Sequence, residues 1–96
     1  MNIEKKISEK NYLFKVSGRL DTTTAPALEK EFKESFGNAE KIILDFNDLE
    51  YISSAGLRVV LGAHKAMQGN LIVKNVNELV MEVFEVTGFA DILNIE

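Results

Sequence analysis

There is no cysteine in the 96 residues, no tryptophan, one proline (Pro26) and one histidine (His64). Without thiols, disulfides, thiolate catalysis and zinc–sulfur sites are all excluded. No apolar run approaches the ~20 residues that span a bilayer. The N-terminus, Met1-Asn2-Ile3-Glu4-Lys5-Lys6, lacks the apolar stretch of a signal peptide, so a cytoplasmic location is expected. Positive charge is also scarce: 11 basic residues stand against 15 acidic ones, for a net charge of −4. That balance argues against a nucleic-acid binder, which carries a basic patch or stripe. Only Lys5 and Lys6 are adjacent, so no polybasic segment marks attachment to anionic lipid. There is no internal repeat, low-complexity tract or linker, and the length fits one domain, 1–96.

What remains is average for a globular protein, 46% hydrophobic and 27% charged. Ile3 and Ile7 among charged neighbours read as a short edge strand. After the polar break Glu9-Lys10-Asn11, Tyr12, Phe14 and Val16 alternate with Leu13, Lys15 and Ser17, a strand that Gly18 ends or bulges. Asp21-Thr22-Thr23-Thr24-Ala25-Pro26 is a helix start, with proline in the first turn and a threonine or Asp21 as cap. Leu28, Phe32 and Phe36 follow on one face, and Gly37-Asn38 is the stop. Residues 41–46 read as a strand buried on both faces, and Asn47-Asp48-Leu49-Glu50 as a loop. Leu57, Val60, Leu61, His64 and Met67 share one face of a second helix ending near Gln68-Gly69-Asn70. Leu71-Ile72-Val73 is a third buried strand. Asn75 or Asn77 caps a third helix carrying Leu79, Val80, Val83, Phe84 and Thr87, with Gly88 as its stop. The tail reads as a short strand or an apolar strap. The order β-β-α-β-α-β-α-(β) predicts an α/β fold: a small mixed sheet covered by helices, the first pair antiparallel and the later strands parallel.

In such sheets functional residues gather at the carboxyl ends of strands. Two such edges stand out, Gly18 to Asp21 and Asn47 to Ser54. Ser53 and Ser54 sit where a strand and short loop feed a helix. A serine there can cap the helix, bind an anion or receive a phosphate. A serine hydrolase is excluded. The only histidine lies ten residues along the same helix, about 15 Å by helical rise, and no G-x-S-x-G elbow exists. The glycines form no phosphate loop or dinucleotide fingerprint. Asp21, Asp45 and Asp48 lie near strand ends but lack a diagnostic metal spacing, so no metal or cofactor is expected. Gly56 weakens the helix it opens, which makes sense if something approaches that turn closely.

Several segments together resemble a STAS domain of the anti-sigma factor antagonist kind. They are Gly18-Arg19-Leu20-Asp21, Thr24 to Leu28, Ile43 to Phe46, Tyr51 to Val60, Val73 to Val76 and Val83 to Phe89. The resemblance covers nearly the whole chain, and Ser54-Ala55-Gly56-Leu57 is its most specific piece. It implies a bacterial, non-enzymatic partner-switching regulator of transcription. The unphosphorylated form would bind an anti-sigma factor that is also a serine kinase. Phosphorylation would release it, and a PP2C-type phosphatase would restore it. Carried onto this chain, the phosphorylated residue is Ser54, with Ser53 the alternative. Many members have aspartate where Ser53 stands. The implied partner surface is Asp21, Thr22, Ser53, Ser54, Ala55, Gly56 and Arg58, with Asp21 on the partner-facing loop. The rival expectation is a non-switching STAS subunit of a membrane lipid- or anion-transport system.

Overall fold

The computed structural model describes residues 1–96. The elements run β1 (Asn2–Ser8), β2 (Asn11–Leu20), α1 (Ala25–Ser35), β3 (Lys41–Asp45), β4 (Leu49–Ile52), α2 (Ser54–Ala66), β5 (Leu71–Lys74), α3 (Glu78–Thr87) and β6 (Asn94–Ile95). A 3-10 turn, Phe89–Asp91, links α3 to β6. The sheet order is β1-β2-β3-β5-β6, with β4 paired to β2 outside that path. The first pair is antiparallel and the other pairs are parallel. The predicted fold class therefore holds, and the tail resolves into a short strand rather than a strap.

Two expectations need correction. The run at 41–46 reads as a strand covered on both sides, but the structure covers only one. Ile42, Leu44 and Phe46 are fully buried, whereas Lys41, Ile43 and Asp45 between them are half-exposed. The reason is topological. From β2 to β3, β5 and β6 the chain steps always in one direction, so right-handed crossovers lay every helix on the same face. Leu28 and Phe32 of α1, Leu57, Val60 and Ala63 of α2, and Val80 and Phe84 of α3 all join one core with Phe14, Val16, Ile42, Leu44, Leu71 and Val73. Within it the Phe14 and Phe32 rings meet edge to face, 5.4 Å apart. The uncovered face is protected by charge. Its central row pairs Glu4 with Lys15, Lys15 with Asp45 and Asp45 with Lys74, and Lys74 reaches the Glu96 carboxylate at 3.9 Å. Opposite charges directly across strands stabilise an open face.

The second correction is β4. Residues 47–50 read as a loop, yet Leu49 and Ile52 are buried in a strand parallel to the end of β2. It exists because β2 is long and bends. At Gly18, φ is +85°, a conformation that an L side chain rarely adopts. The register shifts between Gly18 and Arg19, so β2 lies beside β3 up to Lys15 and beside β4 from Gly18 onward. Gly18 thus carries β2 onward instead of ending it, and the extra residue at the register shift is Glu50 of β4.

The ends of α3 follow the capping signals, whereas the N-cap of α1, Thr24, makes no side-chain cap bond. Asn77, not Asn75, caps α3: its Oδ1 accepts from the Val80 N–H at 2.8 Å, and its Nδ2 donates to the Leu49 carbonyl at 2.7 Å. Gly88 closes that helix in the left-handed conformation, as predicted. The buried stripe of α2 runs through Leu57, Val60, Ala63 and the capping Met67, leaving Leu61 and His64 half-buried at its margin. Leu79 lies on α3 as predicted, but points outward and is 54% exposed.

Candidate functional site

The bend in β2 brings the two predicted strand ends together. Leu20 pairs with Ile52, and the Ser53 N–H continues the ladder by donating to the Leu20 carbonyl at 2.9 Å. The turn that starts α2 is thereby stitched to the loop that starts α1. Gly56 completes the join. A Cβ built there would lie 2.8 Å from Leu20 Cγ, 2.9 Å from Ile52 Cγ1 and 2.9 Å from the Leu20 carbonyl oxygen. The close approach inferred from Gly56 is therefore real, but it is made by the chain itself. Gly56 is buried and lets the first turn of α2 sit down on the end of β2.

The two serines do different things. Ser53 is the N-cap of α2, with extended backbone angles and a side chain that accepts from the Gly56 N–H at 3.5 Å. That length is the weak limit of a hydrogen bond. Ser53 is half-buried. Ser54 is the first residue of α2, exposed, and its hydroxyl has no hydrogen-bond partner within the domain. It stands at the positive end of the helix dipole, which favours an added anion.

Asp21 organises the neighbouring loop. Its Oδ1 accepts from the Thr23 N–H at 3.0 Å and the Thr24 N–H at 3.2 Å, while the Thr24 hydroxyl donates to the Arg19 carbonyl at 2.7 Å. The Thr24 N–H chiefly, with help from Thr23, the Thr24 hydroxyl and the Arg19 charge, outweighs partial burial and holds the Asp21 carboxyl below its usual range. Asp21 is therefore a fixed anion at neutral pH. Thr22 is exposed and lines a shallow cleft of about 280 Å³ between the starts of α1 and α2, with Pro26, Glu29, Ala55, Arg58 and Val59. Arg58 is exposed and takes part in no ion pair.

Residues 2–96 match the family model for the STAS domain. The chain belongs to the STAS family, among the anti-sigma factor antagonists. BtrV of Bordetella bronchiseptica is 40% identical over 81 residues, spanning 80% of this chain and 70% of that one. The anti-sigma-B factor antagonist of Listeria monocytogenes is 34% identical over 105 residues, spanning 100% of this chain and 90% of that one. Among solved structures, the Bacillus cell fate determinant SpoIIAA in its phosphorylated form has the same fold. The TM-score is 0.79 at 19% identity, over 99% of this chain and 91% of that one. Anti-sigma factor antagonists are non-enzymatic regulators. His64 lies three turns along α2 from the serines, and its buried Nδ1 has no hydrogen-bond partner to orient it.

The STAS fold thus gathers Asp21, Thr22, Ser53, Ser54, Ala55 and Arg58 around one edge, with Gly56 beneath them. Asp45 and Asp48 lie elsewhere. Asp45 accepts from the Asn47 N–H and from Asn75 Nδ2, both at 3.0 Å. Burial pushes its carboxyl up, but those two donors and the Lys15 and Lys74 charges prevail and lower it. Arg19 and Tyr51 lie within the two predicted strand ends but outside the expected partner surface, and they too stand at this edge. They pair across β2 and β4, and the guanidinium lies 4.3 Å over the Tyr51 ring and 3.8 Å from the Asp21 carboxylate. Both signals were present, but joining them needed the β2–β4 pairing. No helix is long and apolar enough to cross a membrane.

Proposed function

We propose that this domain is a phospho-regulated anti-sigma factor antagonist. Unphosphorylated, it binds an anti-sigma factor that is also a serine kinase and so frees the sigma factor. Phosphorylated on Ser54, it is released, and a PP2C-type phosphatase resets it. On this reading it works in the cytoplasm. The observation that carries the proposal is the division of labour between the serines. Ser53 spends its hydroxyl capping α2, whereas Ser54 offers an exposed, unused hydroxyl at the same helix start. The existence of SpoIIAA in phosphorylated and unphosphorylated forms supports the same reading by kinship of fold.

A phosphate on Ser54 adds about −1.5 to −2 charges at neutral pH. The helix dipole favours that charge, so α2 stays folded. Its effect falls on the partner surface, beside the fixed Asp21 carboxylate, where two like charges repel any acidic group across the interface. The Asp21 loop, Thr22 and Arg58 then form the rim of the contact patch.

The test is incubation with the anti-sigma kinase and ATP, followed by mass mapping and calorimetry. One phosphate is expected on Ser54 and none in Ser54→Ala. Ser54→Glu is expected to keep the wild-type circular dichroism while binding the partner at least about tenfold more weakly, the scale of one misplaced interface charge. Phosphate on Ser53, no phosphate at all, or a folded Ser54→Glu that binds like wild type would each overturn the proposal. The second outcome selects the non-switching STAS subunit instead.

A further inference from the structure

The net charge of −4 is not spread over the chain. Residues 75–96 contain five carboxylates and no lysine or arginine, so this segment carries −5 and everything before it +1. Three of the five, Glu78, Glu82 and Glu85, fall on α3 at i, i+4 and i+7, which aligns them in one outward stripe about 10 Å long. None of the three takes part in an ion pair. Apolar surface lies on both sides of the stripe. On one side Val76 and Met81 floor a groove of about 300 Å³ whose other walls are the three glutamates. On the other side stand Leu79, 54% exposed, and Val86, 81% exposed, the most exposed large apolar residue of the domain.

This pattern works against the isolated fold. Glu85 lies in the last turn of α3, where the dipole is negative and no basic residue balances it. Leu79 and Val86 lose contact with water only if something covers them. Residues that cost stability locally and gain nothing within the domain mark a surface used elsewhere. The charge decides what kind of surface. Nucleic acid and anionic lipid are repelled by a stripe of carboxylates. A second copy placed face to face would oppose glutamate with glutamate. No group of three acids converges to hold a metal ion.

We propose that the outer face of α3 is a docking surface for a basic amphipathic helix of a partner protein. Lysines or arginines spaced i, i+4, i+7 on that helix pair with Glu78, Glu82 and Glu85, and its apolar stripe covers Leu79 and Val86. This is helix-against-helix recognition by charge and apolar anchors together. It uses a different element from the Ser54 turn and does not depend on phosphorylation.

The test uses the whole domain, isotope-labelled, and a synthetic peptide about five turns long. The peptide is built from leucine, alanine and lysine, with lysines at i, i+4, i+7 beside a leucine stripe. Saturable amide shifts confined to α3 and Val76 are expected. Replacing Glu78, Glu82 and Glu85 together by glutamine is expected to weaken binding about tenfold, as loss of three rim charges should. Leu79→Ser with Val86→Ser, both at exposed positions that leave the core intact, is expected to weaken it to a similar degree. A peptide of the same composition with its lysines scrambled around the helix should bind at least tenfold more weakly than the ordered one. Shifts scattered over the acidic surface, equal binding by the scrambled peptide, unchanged binding by the glutamine variant, or self-association through α3 in sedimentation would overturn the proposal.

Discussion

Gly56→Ala is the substitution that most directly probes how the site is built. The new Cβ would stand 2.8 Å from Leu20 Cγ and 2.9 Å from both Ile52 Cγ1 and the Leu20 carbonyl oxygen. Carbons in ordinary contact sit about 3.5–4.0 Å apart, so the methyl intrudes by about 0.7 Å at the least. Leu20 and Ile52 are buried, and the carbonyl is already held by the Ser53 N–H. None can step aside cheaply, so α2 must lift. Lifting stretches the Ser53 cap, already 3.5 Å long, past the length of a hydrogen bond. Overpacking of this kind costs about 1–3 kcal/mol, and glycine-to-alanine helix propensity returns less than ~1 kcal/mol of it. A fall in melting temperature of roughly 5–15 °C is expected in a domain of this size. Gly62→Ala is the internal control. It lies on the same helix, exposed, with nothing within 4 Å of its added Cβ and no positive φ. It should be stabilising by about 0.5–1 kcal/mol. Scanning calorimetry of the two variants reads both signs. Equal or same-signed shifts would refute the account of Gly56 as a seat for α2.

Three further outcomes are expected. Ser53→Ala should destabilise by about 0.5–1 kcal/mol in urea titration through loss of its weak cap, while Ser54→Ala changes stability by less than about 0.5 kcal/mol; a reversed order would undo the assignment of roles. Asn77→Ala should cost about 1–2 kcal/mol, because it removes both the α3 cap and the donor to the Leu49 carbonyl. Asn77→Asp should recover the cap only, and recovery to full wild-type stability would show that the Leu49 bond carries nothing. Asp21 and Asp45 both have lowered carboxyl pKa values. A carboxyl lowered in the folded state adds stability that is present above its unfolded value and lost as pH falls through the folded one. Stability should therefore drop below about pH 4, and the Asp21→Asn, Asp45→Asn double variant should lose less on acidification. Thermal melts across that range decide it, and an unchanged slope would rule those two groups out.

Much of this domain is written in local pattern. The alternation of Tyr12, Phe14 and Val16, the helix start at Asp21 to Pro26, the spacing of Leu28 and Phe32, the Gly88 stop and the serines before α2 each specify an element without reference to the rest of the chain. Period and capping act over a few residues, so they survive in the sequence. The resemblance carried by Ser54-Ala55-Gly56-Leu57 added the family. What distance along the chain hides, only tertiary structure could supply. Covering β3 on one face or two depends on the direction in which successive crossovers step, not on the composition of Ile42 to Phe46. The β4 strand exists because β2 bends at Gly18 to meet it, and that pairing sets Arg19 over Tyr51 and Asp21 beside Ser53. Four letters in a row promised a helix start with two serines. Which serine caps and which stands free was decided by Leu20, 33 residues before Ser53 in the numbering, whose carbonyl and side chain fix how α2 is seated.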